Sequence, residues 1–164
     1  MIVIVMGVAG SGKTTVGKLL ARRLGWCFYE GDGFHPVANI EKMSAGVPLT
    51  DGDRWPWLES IKKELDRCSE QGTHAVVACS ALRDRYRSYL AADISDLRFI
   101  YLKGDPPTIR ERLKSREHHY MGASMLESQL ASLEEPEGAI LVDIAHPPDE
   151  IVARIRAALE PVAT

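Results

Sequence analysis

Eight residues near the start of the chain carry its strongest chemical signal. Gly7-Val8-Ala9-Gly10-Ser11-Gly12-Lys13-Thr14 satisfies the pattern G-x-x-x-x-G-K-S/T. Glycines in such a loop let successive backbone N–H groups converge on one phosphate, and the N-terminus of a following helix adds partial positive charge. Here Gly7, Gly10, Ser11, Gly12 and Thr15 would cradle a nucleoside triphosphate. Lys13 would reach its β- and γ-phosphates, and the Thr14 hydroxyl would bind Mg²⁺. Switches, motors and small-molecule kinases all use such a cradle. No N-K-x-D segment for reading guanine follows. The apolar run 75–79 ends in Ser80, where a motor-type ATPase usually places an aspartate. A small phosphotransferase remains.

A transferase also needs an acceptor side. Gly31-Asp32-Gly33-Phe34-His35-Pro36 follows the second apolar run, 27–30. Ligands of doubly wound sheets sit beyond the carboxyl ends of the strands, so Asp32 stands where a hydroxyl would approach the γ-phosphate. There it either takes the hydroxyl's proton or caps the next helix, and position alone does not choose.

The elements that must position these groups can be read from periodicity. Runs 2–6, 27–30, 75–79, 97–102 and 139–143 are nearly continuous in apolar residues, as strands covered on both faces are. Helical patterns lie between them at 14–24, 56–70, 83–92, 107–115, 125–133 and 148–159. In the first of these, Val16, Leu19, Leu20 and Leu24 share a face, and Gly25 closes it. In the second, Trp57, Ile61, Leu65 and Cys68 form a stripe that reads as core, while Trp55 is undecided. Strand–helix alternation predicts an α/β domain with a parallel sheet covered on both sides. Two polar stretches, 31–54 and 116–124, exceed what a connection needs and read as binding loops or lids.

Composition agrees with this architecture. A length of 164 residues, 45% of them hydrophobic, suits one domain over 1–164 and excludes a collagen-like, disordered or disulfide-framework chain. The net charge of 20 − 23 = −3 argues against nucleic acid or an anionic membrane as partner. No stretch approaches the ~18 apolar residues of a membrane span, and run 2–6 lacks the basic lead of a signal peptide. Cys27, Cys68 and Cys79 show no metal-like spacing and fit a reducing cytoplasm.

Further blocks are more specific. They comprise Gly31-Asp32, His35-Pro36, Asn39, Glu41-Lys42-Met43, Asp51-Gly52-Asp53-Arg54 and Pro56-Trp57-Leu58. Cys79-Ser80-Ala81-Leu82-Arg83 with Tyr86-Arg87, Tyr101-Leu102-Lys103-Gly104-Asp105, Arg116-Glu117-His118-His119, Met125-Leu126 and Gln129 follow in order. Together they resemble the gluconate kinase family of small P-loop kinases over most of the chain. The resemblance implies ATP-dependent, Mg²⁺-requiring phosphorylation of D-gluconate at its 6-hydroxyl, giving 6-phospho-D-gluconate and ADP. It also implies a nucleoside-monophosphate-kinase-like α/β/α domain of three layers, with a parallel five-stranded sheet, a mobile lid at about 116–124, and homodimers in many members.

Roles follow from the acceptor's chemistry. A sugar acid calls for a guanidinium fork and short polar groups. Arg54 is the leading carboxylate partner, since a cation near a helix N-terminus is otherwise electrostatically misplaced. Of Arg83 and Arg87, one or both face the cleft after Ser80, with Arg85 on another face. His35 shapes the acceptor loop rather than acting as base, and Gln129 completes the acceptor set. By analogy with related kinases, Arg112 stacks on adenine and Arg116 touches the transferring phosphoryl; the bland alternative is a solvated face shared with Arg110 and Lys114. His118 and His119 have no metal spacing and belong to the lid. Gly33 and Gly52 replace bulkier residues common in the family, which would widen the acceptor pocket. Two other readings stay open: a kinase for another sugar acid or small polyol, and a catalytically silent nucleotide-binding regulator.

Overall fold

Each of the five apolar runs forms a strand, and all five lie parallel. In chain order these are β1 (Ile2–Met6), β2 (Cys27–Glu30), β3 (Ala75–Ala78), β4 (Leu97–Lys103) and β5 (Ile140–Asp143), arranged β2-β3-β1-β4-β5. The computed structural model describes residues 1–116 and 123–160. Residues 117–122, the body of the expected lid with His118 and His119, lie outside them. No described helix is long and apolar enough to cross a membrane.

Helices α1 (Lys13–Leu24), α2 (Val37–Ser44), α3 (Asp51–Glu70), α4 (Asp84–Ala91), α5 (Pro106–Lys114), α6 (Ala123–Ser132) and α7 (Pro148–Leu159) fill the connections. The two-residue period of β1 splits the core. Val3 and Val5 pack with α1 and α7 residues such as Leu20 and Ile155, whereas Ile2, Ile4 and Met6 pack with Leu58, Ile61 and Leu90 from α3 and α4. The result is three layers, helix–sheet–helix.

Three expectations need correction. Only β1 and β3 are buried throughout; β2 and β5 form the sheet edges, where Cys27 and Leu141 are exposed. An apolar run therefore does not by itself mark a strand covered on both faces.

Helix α3 begins five residues before the expected start at Pro56, because Thr50 and Asp53 form a reciprocal cap. The Asp53 backbone N–H donates to Thr50 Oγ1 (3.2 Å), and the Thr50 N–H donates to the Asp53 carboxylate (2.9 Å). Pro56 then sits inside the helix and gives up one backbone bond.

The polar stretch 31–54 is also more ordered than a loop. It holds a 3₁₀ turn (Gly31–Phe34) and α2, whose Asn39 and Met43 are buried while Val37 and Ile40 face outward.

Candidate active site

The cradle lies at the carboxyl end of β1. Gly12 takes a left-handed conformation (φ 96°) as it hands the chain to α1, a geometry that favours glycine. The Ser11 hydroxyl is buried with no hydrogen-bond partner among the described residues. Lys13 Nζ donates to the Val8 carbonyl at 3.0 Å, so the amine rests on the loop's own backbone. Burial lowers the Lys13 pKa, opposed chiefly by the negative charge of Asp32 and, less strongly, by Cys79 and Glu30. Thr15 and Arg116 complete the cradle wall, with Arg116 exposed as the last residue described before 117–122.

The Thr14 hydroxyl donates to Glu30 Oε2 at 2.6 Å. Glu30 ends β2 and is a residue that sequence reasoning misses, although a carboxylate two residues before Asp32 at a strand's carboxyl end is the available signal. With its proton turned toward Glu30, Thr14 keeps oxygen lone pairs for a ligand. A hydroxyl oxygen backed by a carboxylate is the hard donor set that Mg²⁺ accepts, with phosphate and water filling the remaining positions. No cluster of three or more His, Cys, Asp or Glu side chains suited to a metal occurs among the described residues.

The candidate acceptor pocket adjoins the cradle. Asp32, Ser80 and Gln129 line both spaces, while His35, Arg54, Trp57 and Met125 line the acceptor side only. Asp32 is placed by Gly31, where an added Cβ would stand 2.2 Å from the Ala78 carbonyl oxygen. Only a glycine lets the turn press this closely on β3. The same glycine's carbonyl accepts from Trp57 Nε1 at 2.8 Å, and the indole stacks on His35 with ring centroids 4.3 Å apart. Burial, with Arg54 adding to it and Asp32 opposing it, pushes the His35 pKa down to about 4, so the imidazole is neutral.

Arg54 projects from the second turn of α3, with its side chain only 12% exposed. Its contacts are loose: Tyr86 Oη at 3.4 Å and the Asp51 carboxylate at 4.0 Å. Asp51 is already engaged by Arg85 and by the Tyr86 hydroxyl. The guanidinium therefore retains hydrogen-bonding capacity toward the pocket. Gln129 Oε1 accepts from the Ala9 N–H at 2.7 Å, which ties α6 to the cradle between the two spaces.

Two of the expected residues stand elsewhere. Arg87 is buried, but it turns away from the cleft and donates to the Ala81 carbonyl at 2.8 Å, holding a residue with φ 43°. It belongs to the support of the loop after β3. Arg83 forms the N-cap of α4, lines neither space, and has a buried Nε without a partner among the described residues. Gly33 and Gly52 do not line the acceptor pocket, so they do not widen it. Arg112 donates to the Ile144 carbonyl at 2.7 Å, joining α5 to the loop after β5. Arg110 pairs with Glu127 across the α5–α6 gap, with both side chains exposed.

Comparison with known proteins places this arrangement. The shikimate kinase family model matches residues 9–160. The chain is 46% identical over 155 residues to a gluconokinase of Gluconobacter oxydans (strain 621H), covering 93% of this chain and 87% of that protein. It superposes on the crystal structure of a gluconokinase from Sinorhizobium meliloti 1021 with a TM-score of 0.86 and 44% identity, covering 96% and 90% of the two chains. An APS kinase of Mycobacterium tuberculosis, at 18% identity and a TM-score of 0.69, shares the fold, with 98% of this chain and 97% of that one covered.

Proposed function

Because the chain belongs to the gluconokinase family of small P-loop kinases, we propose that it transfers the γ-phosphoryl group of ATP to the 6-hydroxyl of D-gluconate. The products are 6-phospho-D-gluconate and ADP. The observation that carries this reading is the pocket beside the cradle, where a nearly buried guanidinium, a neutral imidazole and a carboxylate converge. An apolar or cationic acceptor would leave that guanidinium unanswered; a hydroxylated carboxylate answers it.

In this reading Arg54 holds the acceptor's carboxylate as a two-pronged donor. The carbon chain then runs past His35 to Asp32, which accepts the proton of the attacking hydroxyl. Lys13 leaves the Val8 carbonyl for the phosphates, where it neutralises charge that grows in transfer. Arg116 approaches the same oxygens from the lid side. Thr14, oriented by Glu30, would hold Mg²⁺, which neutralises phosphate charge. Gln129 keeps the Ala9 N–H in register with both ligands. Arg112 braces the wall at which adenine would stack.

The test is a coupled ADP-release assay with ATP and Mg²⁺ over a panel of acceptors: gluconate, other aldonic acids, glucose and small polyols. Gluconate is expected to give the highest kcat/KM. Equal ADP release without any acceptor, or a polyol preferred over every acid, would refute the assignment.

A further inference from the structure

We propose that Asn39 is a positioning residue that locks His35 as an Nε2–H donor, making the imidazole a hydroxyl reader within the acceptor pocket. The inference rests on the gluconate reading for its ligand but not for its geometry. Asn39 lies on α2, 4% exposed, four residues after His35. Its side-chain nitrogen donates to the Asp53 carbonyl at 2.8 Å, which fixes the amide's orientation, since a carbonyl oxygen cannot donate. That same nitrogen sits 3.2 Å from His35 Nδ1. An amide NH₂ has two hydrogens and no acceptor capacity, so Nδ1 must be the bare nitrogen. A neutral imidazole carries one proton, and it is left on Nε2.

The lock is held from several sides. Trp57 stacks on the ring and is itself tied to the Gly31 carbonyl. Asp53, whose carbonyl anchors Asn39, is fixed by the α3 cap and by an ion pair with Lys42 at 2.8 Å. With the Nδ1 edge spent on Asn39, the pocket-lining imidazole offers a ligand one donor and no base. The charged groups that act on the ring are Asp32 from the 3₁₀ turn and Arg54 from α3, the residues proposed to meet the two ends of the acceptor, and both line the pocket that the ring lines. A hydroxyl on the carbon chain between those ends would accept the Nε2–H bond.

Nitrogen-15 NMR tests the lock directly, with the His35 signals assigned by their loss in His35→Gln. The wild-type protein is expected to show a protonated Nε2 and a bare Nδ1 near neutral pH; the opposite pattern would overturn the proposal. Asn39→Asp supplies the kinetic test. An aspartate there accepts from Nδ1–H, so above the pKa of His35 in this variant Nε2 loses its proton. KM for gluconate should then rise roughly tenfold with increasing pH, the worth of one neutral hydrogen bond. KM for ATP should stay unchanged. The wild-type KM for gluconate should be flat across the same range, with Asp32 and Arg54 common to both proteins.

A purely structural role for Asn39 would raise KM equally at every pH, and that result would refute the inference. Should Asn39→Asp not fold, the wild-type spectrum alone decides. Should gluconate not be the acceptor, the wild-type assay fails while the tautomer is still read.

Discussion

Replacing Arg54 with alanine should remove the preference for a sugar acid over a neutral sugar. Gluconate and glucose both offer a primary hydroxyl at carbon six, so their difference isolates the carboxylate. An ion pair at ~4 Å in an effective dielectric of about 20 is worth roughly 4 kcal/mol. The Arg54 side chain is only 12% exposed, so bulk water does little to screen it. Part of that energy is already supplied without substrate, because Asp51 lies 4.0 Å away and Tyr86 Oη 3.4 Å away. Asp51 divides itself among Arg85 and Tyr86 as well, so its help is incomplete. The carboxylate should therefore contribute about 2–3 kcal/mol, less than a wholly orphaned charge would give. That is roughly 30- to 150-fold in kcat/KM for gluconate over glucose. Arg54→Ala should cost gluconate most of this factor and glucose very little. Arg54→Lys should recover only part, since an ammonium cannot grip both oxygens as a fork. The assay is kcat/KM for both acceptors with three enzymes at one ATP concentration. Equal losses for the two acceptors would refute the reasoning and make Arg54 a packing partner of Tyr86.

Asp32→Asn keeps the shape of the shared wall but removes the proposed base, and kcat should fall about 10²–10⁴-fold with KM for ATP little changed; the reverse split would assign Asp32 to the nucleotide. Glu30→Gln weakens the acceptor that orients the Thr14 hydroxyl, and the Mg²⁺ concentration for half-maximal rate should rise roughly tenfold or more; an unchanged titration would sever Thr14 from the metal. Folding stability should fall on the acid side in two windows, followed by chemical denaturation. His35 titrates at about 4 when folded, against an ordinary histidine value of 6.5, so the unfolded chain binds the extra proton and stability declines as pH drops from about 6.5 to 4. Asp53, held down to about 2 mainly by its hydrogen bond from Lys42, adds a second decline between 3.8 and 2. His35→Gln should flatten the first window and leave the second.

What can be read from the sequence is local. The cradle is a contiguous strand–loop–helix signal, and β1 and α1 stand where the motif requires. The α3 start is harder to place because Pro56 is a visible helix opener, whereas Thr50 and Asp53 announce theirs only through two reciprocal bonds. Helix α2 is hidden for a different reason. Its eight residues bury Asn39 and Met43 and leave Val37 and Ile40 outward, so its apolar pattern points the wrong way and tertiary contacts hold it. Arg83 and Arg87 share a helical face in spacing, yet spacing cannot say whether that face meets a cleft or a strained carbonyl. Arg87 goes to Ala81. Glu30 and Asn39 act through partners distant in sequence or through a fixed amide orientation, neither of which composition encodes.

The strand order has a consequence for how the protein is made. β1 carries the cradle and is synthesised first, but its ladder partners are Ala75–Ala78 and Leu97–Lys103. Ile2 pairs with both Ala75 and Leu97. At a translation rate of about 5–20 residues per second, roughly 4–15 s pass after Ile2 is made before the first of those partners, Ala75, follows it. During that interval a five-residue run of wholly apolar side chains, with unpaired edges on both flanks, has no sheet to enter. The nucleotide loop cannot take its shape until the middle of the chain has arrived, so ATP cannot assist the earliest folding steps. It can only stabilise what the later strands have already closed.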